Sequence, residues 1–289
     1  MASEYEDKKL IDKNPAVSGL MVPLAIVLVG ALIVFGVTRM LSTDRNYQDL
    51  VGEMESKSFG NKWVAAYELS KVIASSQVPK EEIPELIKRL GYIYKSSEAD
   101  PRTRDFIVVA LGALNSRESV PILLLGLKDS DKNVKFHSLT SIGNMSTEEL
   151  DIDWDIILNL LKSKDMAIKQ AAVLTLGAHK VIKAEEAIVR LLDDENRGVK
   201  FAAARVLIPF KNLKAVPILE DILNLKPDKD SKGIGLDARE IEILKLNVLN
   251  SLKKVKWLAL NKTLLELSQE KSGGKVSLQA KEVLKLLKN

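Results

Sequence analysis

Four positions constrain this chain more than anything else in it. Asp100, Asp131, Asp165 and Asn196 follow one another at spacings of 31, 34 and 31 residues, and each is trailed at fixed offsets by the same kinds of residue. Four residues on stands a cation: Arg104, Lys135, Lys169 and Lys200. Eleven residues on stands an aliphatic anchor, Leu111, Ile142, Leu176 and Leu207, and the next positions are Gly112, Gly143, Gly177 and Ile208. A fixed period of this length marks stacked supersecondary units, each unable to bury its apolar face alone.

Each unit reads as two helices. Asp or Asn at the first position can accept hydrogen bonds from the free amides of a helix start. The first helix then carries helical apolar spacing, as in Ile168, Ala171, Ala172 and Leu176, or Val199, Ala202, Ala203 and Leu207. Its alanines permit close packing. The second helix shows the same period in Ala184, Ala187, Ile188, Leu191 and Leu192. Two second helices open alike, Val120-Pro121-Ile122-Leu123 and Val216-Pro217-Ile218-Leu219, with proline in the first turn, where its missing N–H is harmless. Outward, the register continues with longer steps. Ser58, Lys62 and Leu69 would form an earlier unit. Leu249 anchors a later one, with Ala238 in the capping slot, Asp237 just before it as the alternative cap, and Glu242 in place of the cation. Val276, Ala280 and Leu284 would make a closing half unit, with Ser277 in the cation slot.

Composition agrees with an all-α fold: Leu, Lys, Ala, Glu and Ile dominate, and aromatics are 5%. The chain has no cysteine, which excludes disulfides, thiolate metal sites and cysteine nucleophiles. Two histidines, His137 and His179, do not make a histidine-rich metal site. The net charge of +4, mixed in sign along the chain, is no nucleic-acid footprint by itself.

Before the repeats lies a stretch without charge from Asn14 to Thr38, with the apolar run Leu20 to Phe35 inside it. Its length matches a hydrocarbon layer of about 30 Å. The expected organisation is a polar tail over 1–16, a transmembrane helix over 17–41, a linker or helical cap over 42–56 and a repeat domain over 57–289. Lys8, Lys9 and Lys13 precede the span and Arg39 and Arg45 follow it, so the basic residues weakly favour a cytoplasmic N-terminus. The expected localisation is therefore a single-pass membrane protein with the repeats outside the cytoplasm, in the periplasm if the source is bacterial.

Other constellations fail on spacing. Asp151, Asp153 and Asp155 alternate like a calcium loop, but Ile156 stands where glycine is needed and Lys162 where the bidentate glutamate belongs. Gly273-Gly274-Lys275 lacks the spacing of a phosphate-binding loop. His137 aligns with Ala171 and Ala202 and reads as a packing residue, as do Trp63, Trp154 and Trp257. Residues 226–235, rich in charge and glycine, read as a solvated insertion.

The Asp-x-x-x-(Arg/Lys) pair followed by Ala-x-x-x-Leu-Gly resembles the HEAT-repeat family, in its short variant of about 30 residues related to phycobilisome lyases. The resemblance runs from about residue 57 to the end and implies an α-solenoid of about six HEAT-like helix pairs. It also implies that acidic and basic residues form a ladder between adjacent repeats and that second helices line a concave face. Asp131, Asp165, Lys135, Lys169 and Lys200 would be ladder residues, with Asp100, Arg104 and Asn196 at the same register positions. The function expected is a membrane-anchored, non-catalytic scaffold that binds one or more proteins, with the bilayer held by residues 17–41 and no cofactor. The alternatives are a lyase-like or chromophore-handling enzyme, and a nucleic-acid-binding HEAT-like protein. Lys88, Arg89, Lys128, Lys162, Arg190 and Lys214, on or near second helices, are the cations open to a partner, interspersed with Glu85, Glu118, Glu186 and Glu220.

Overall fold

The computed structural model describes residues 45–56, 60–75, 78–145, 150, 152–226, 236–270 and 274–288. The chain divides into two units, Met1–Asn46 and Tyr47–Asn289. All but two of the described residues belong to the second.

A lone helix, α1 (Tyr47–Glu55), precedes six helix pairs. These are α2 (Lys62–Ala74) with α3 (Ile83–Ser96), α4 (Pro101–Leu114) with α5 (Val120–Gly126), and α6 (Lys132–Asn144) with α7 (Asp155–Leu160). Next come α8 (Met166–Ala178) with α9 (Glu185–Arg190), α10 (Arg197–Val206) with α11 (Val216–Asn224), and α12 (Ala238–Lys253) with α13 (Asn261–Ser268). The half unit α14 (Lys275–Lys288) follows. The described residues contain no strand.

The capping positions do what their chemistry allows. Asp131 accepts from the amides of Asn133 and Val134, Asp165 from those of Ala167 and Ile168, and Asn196 from that of Val199. Asp100 accepts from the amide and hydroxyl of Thr103. In the later unit Asp237, not Ala238, is the cap, and it forms a reciprocal capping box with Glu240. The earlier unit departs from the register. Ser58 lies outside the described residues, α2 starts at Lys62, and its N-cap is Asn61 without a side-chain cap bond. The apolar anchor there holds, because Leu69 is fully buried.

First helices pack directly on first helices, α2 on α4, α4 on α6, α6 on α8 and α8 on α10. The glycines that follow the anchors explain how. A methyl group on Gly112 would lie 3.0 Å from the Cα of Ser141 in the next first helix. On Gly143 it would lie 3.4 Å from the Cα of Thr175, and on Gly177 3.0 Å from the Cβ of Val206. Backbones that close also exchange hydrogen bonds: Ser141 Oγ donates to the carbonyl of Val108 at 2.9 Å, and Thr175 Oγ1 to that of Leu139 at 2.8 Å. Ile208 takes the glycine's register position in the next unit, and its side chain is fully buried. There the row loosens, and α10 meets α12 far more sparsely than α8 meets α10. Contact between α12 and α14 then closes the row again.

The placement of the chain in a membrane does not stand. Among the described residues no helix is long and apolar enough to cross one. The longest, α12, has 16 residues, a length of about 24 Å at helical rise against about 30 Å of hydrocarbon. It is also amphipathic, with Arg239, Glu240, Glu242 and Lys245 along it. The segment 17–41 that carried the bilayer assignment lies outside the described residues, as do 1–16, 227–235, Asp151 and Gly273.

If the glycine contact sets the spacing of the row, Gly112→Ala should destabilise the protein by about 1–3 kcal/mol through overpacking. Gly52→Ala in α1, where an added methyl meets nothing within 4 Å, should stabilise it by about 0.5–1 kcal/mol. Urea unfolding midpoints of the two variants check both signs.

Candidate interaction groove on the first-helix face

The repeat register decides which side chains the row of first helices turns outward. Five residues after the capping position come Asp105, Phe136, Gln170 and Phe201; nine after it come Val109, Thr140, Leu174 and Arg205. From α6 onward these residues line two adjoining depressions. The larger, of about 1090 Å³, runs across α6, α8 and α10 to the end of α12. The smaller, of about 380 Å³, lies between α10 and α12 and shares Gln170, Leu174 and Arg205 with it. The groove thus reaches into the place where the row has loosened.

Its floor is apolar, built from Phe136, Ala171, Leu174, Val206 and Val255. Its charge is of one sign among the described residues: Lys180, Arg205, Lys211, Lys254 and Lys256 line it, and no described carboxylate does. Arg205 has no hydrogen-bonding or ion-pair partner among the described residues, and burial pushes its guanidinium below the usual arginine range. A charge held that way is costly unless something supplies the counter-charge.

Lys180 and Lys211 occupy the same slot, fifteen residues after the capping position, with φ of 49° and 53°. Asn115 fills that slot in the α4 unit with φ of 48°. Asparagine and glycine tolerate this left-handed conformation, whereas other residues incur a cost of about 1 kcal/mol or more. In both lysine units an exposed aliphatic residue follows two positions on, Ile182 and Leu213, and Leu258 follows Lys256 in the same way.

The cations expected to face a partner lie elsewhere. Arg89 is held by Glu55 through two hydrogen bonds of 2.8 and 2.7 Å, Lys88 lies 3.6 Å from Glu85, and Arg190 pairs with Glu186 at 2.8 Å. Lys128, Lys162 and Lys214 are exposed beside second helices, and none of the six lines the groove.

The ladder positions resolve into two roles. Asp100, Asp131, Asp165 and Asn196 are spent on their own helix starts. The rung acids are Asp129 and Asp194, each two residues before a cap. Arg104 Nε donates to Asp129 Oδ2 at 2.7 Å and Nη2 to Oδ1 at 2.9 Å; Lys169 Nζ donates to Asp194 Oδ2 at 2.6 Å. The same acids accept from the amides of the caps, Asp131 at 2.9 Å and Asn196 at 2.8 Å. In the intervening unit Ser163 stands at that place and caps the amide of Asp165, leaving Lys135 without an ion-pair partner among the described residues. Lys200 lies near enough to Asp194 to help hold its carboxyl down. Sequence reading missed these acids although the pattern Asp129-x-Asp131 and Asp194-x-Asn196 was available. It also missed His137 Nδ1 at 2.5 Å from Asp105 Oδ1 of the preceding repeat, and His179 Nε2 at 2.7 Å from the carbonyl of Ile142. The tryptophans pack: Trp257 is buried, Trp154 lies against His179, and Trp63 lies beneath Arg102. Of the alternating aspartates, Asp153 caps the amide of Asp155, and Asp155 pairs with Lys183 at 2.8 Å. Among the described residues no group of three or more His, Asp or Glu is placed to hold a metal ion.

With this geometry in hand, the comparisons fall into place. A family model of HEAT repeats matches residues 155–235, from α7 into the segment after α11. The structure is similar to that of the complex of CpcE and CpcF of the phycocyanin lyase of Nostoc sp., with a TM-score of 0.53 at 16% identity, over 85% of this chain and 96% of that one. It is similar to Escherichia coli YibA at a TM-score of 0.53 and 15% identity, over 83% of this chain and 81% of that one. No curated protein matches the sequence. At such identities the likeness extends to the fold: a HEAT-like stack of helix pairs.

The rung at Asp129 has a measurable consequence. Burial alone would raise its carboxyl, but hydrogen bonds from Arg104, Tyr94 and the amide of Asp131 outweigh it and hold the group at about 2, below its ordinary 3.8. A depressed carboxylate contributes stability that is full above the unfolded value and is lost as pH falls through the folded one. The contribution at neutral pH is on the order of 2 kcal/mol. Asp129→Asn should therefore lower stability at pH 7 by about 2–4 kcal/mol, since it leaves Arg104 buried and unpaired. It should also flatten the loss between pH 4 and pH 2, as read from urea midpoints across that range.

Proposed function

We propose that this chain is a non-catalytic scaffold, its HEAT-like repeat domain spanning 57–289, that binds one or more partner proteins through the groove along its first helices. One observation carries the reading: a long open depression with an apolar floor and an unneutralised cationic lining, on a face assembled from successive repeats. Such a surface suits a chain-like partner laid across several units. Among the described residues the lining offers hydroxyls, amides and cations but neither a carboxylate nor an imidazole, the side chains that most often move protons in catalysis. In this reading the ladder residues Asp100, Arg104, Asp131, Lys135, Asp165, Lys169, Asn196 and Lys200 serve the stack and not the partner. Lys88, Arg89, Lys128, Lys162, Arg190 and Lys214 are secondary to the groove.

The test is site-specific photocrosslinking in cells that naturally make the protein. A benzophenone amino acid at Leu174, in the groove, should give discrete protein adducts. The same group at Leu125, exposed on α5, should give none of them. Equal adducts from both positions, or none from Leu174, would contradict the reading.

A further inference from the structure

We infer that the groove receives an acidic, extended segment of a partner protein whose carboxylates meet Lys180, Arg205, Lys211, Lys254 and Lys256 and whose apolar residues lie on the floor between them. The inference rests on the scaffold reading and adds the chemistry of the occupant.

Three features point to it. The first is charge complementarity: five cations line one depression without a described carboxylate among them, in a chain whose 43 basic and 39 acidic residues are otherwise nearly balanced. The second is Arg205, pressed into the groove wall from α10, with a guanidinium that no described carboxylate neutralises. A carboxylate arriving with the ligand would supply the missing bidentate partner. The third is the backbone. Lys180 and Lys211 hold left-handed conformations in a slot where Asn115 shows the less strained choice. A residue kept against local preference at consecutive repeats marks a side chain wanted for something other than the turn.

The floor separates a peptide from a nucleic acid. Phe136, Leu174, Val206 and Val255 give apolar side chains a place to bury, while a phosphate backbone would leave that surface uncovered. In sequence, the exposed Ile182, Leu213 and Leu258 each stand two residues beyond a groove lysine, an alternation of cation and apolar group. An acidic segment with interspersed leucines matches that alternation.

The experiment uses the full chain and a fluorescein-labelled peptide that repeats Glu-Glu-Leu over twelve residues, followed by anisotropy. The peptide should bind, and binding should weaken between 50 and 200 mM salt. The double variant Lys180→Asn with Lys211→Asn should weaken it about tenfold or more, while its thermal midpoint stays at or above that of the unmodified protein. A merely structural role for these lysines would not separate the two readouts. Lys128→Glu with Lys162→Glu, outside the groove, should leave the affinity within about twofold. The inference is overturned if the peptide does not bind, if the second pair weakens it as much as the first, or if an oligothymidylate of equal charge binds more tightly. Crosslinks from Leu174 without peptide binding would reject the acidic occupant alone. Loss of both would reject the scaffold reading with it.

Discussion

The stack depends on how closely one first helix can approach the next. At Gly112, Gly143 and Gly177 the approach leaves no room for a methyl group without displacing Ser141, Thr175 or Val206. Backbone proximity then lets Ser141 and Thr175 donate across the interface to carbonyls of the previous helix. A buried hydroxyl that finds a carbonyl this way costs nothing in unmet hydrogen bonding, so small polar residues can fill positions where larger apolar ones would wedge the helices apart. The row is looser between α10 and α12, and the smaller depression lies there, while the larger runs back across α6, α8 and α10.

The turns between units carry a second layer of order. Each capping residue faces its own helix, and at Asp131, Asp165 and Asn196 the residue two before it receives the cap's amide. Where that residue is aspartate, it also receives the cation from the previous unit. One carboxylate therefore joins two repeats and orders a loop. Where it is Ser163 the loop is ordered but the ion pair is missing. The ladder is thus discontinuous, and the Arg104–Asp129 rung, nearly buried and joined by Tyr94 at 2.6 Å, is its strongest point.

Much of this was legible in the sequence for identifiable reasons. Caps, helix-starting prolines and the 31-residue step are local signals, and Asp131, Asp165, Asn196, Pro121 and Pro217 all act as their chemistry suggests. The resemblance to HEAT repeats led to the right architecture but to the caps as ladder acids, because spacing alone cannot distinguish a cap from its neighbour two residues earlier. The groove was missed because its lining comes from four successive units, Phe136, Leu174, Arg205 and Lys254 among them, which only the packed helices bring together. Among the cations chosen from second helices, Arg89 and Arg190 find acids across or along helices that composition does not locate. The membrane assignment rested on one apolar stretch outside the described residues, and no described helix supports it.

The central claim is that the face built by first helices is the one that meets a partner. Hydrogen–deuterium exchange of the full chain, with and without the acidic peptide at saturation, addresses it directly. Protection should concentrate in the C-terminal halves of α6, α8, α10 and α12 and in the turns after α8 and α10 that carry Lys180 and Lys211. Protection centred on α5, α7 and α9, or spread evenly over the stack, would contradict the claim and move the binding face to the second helices.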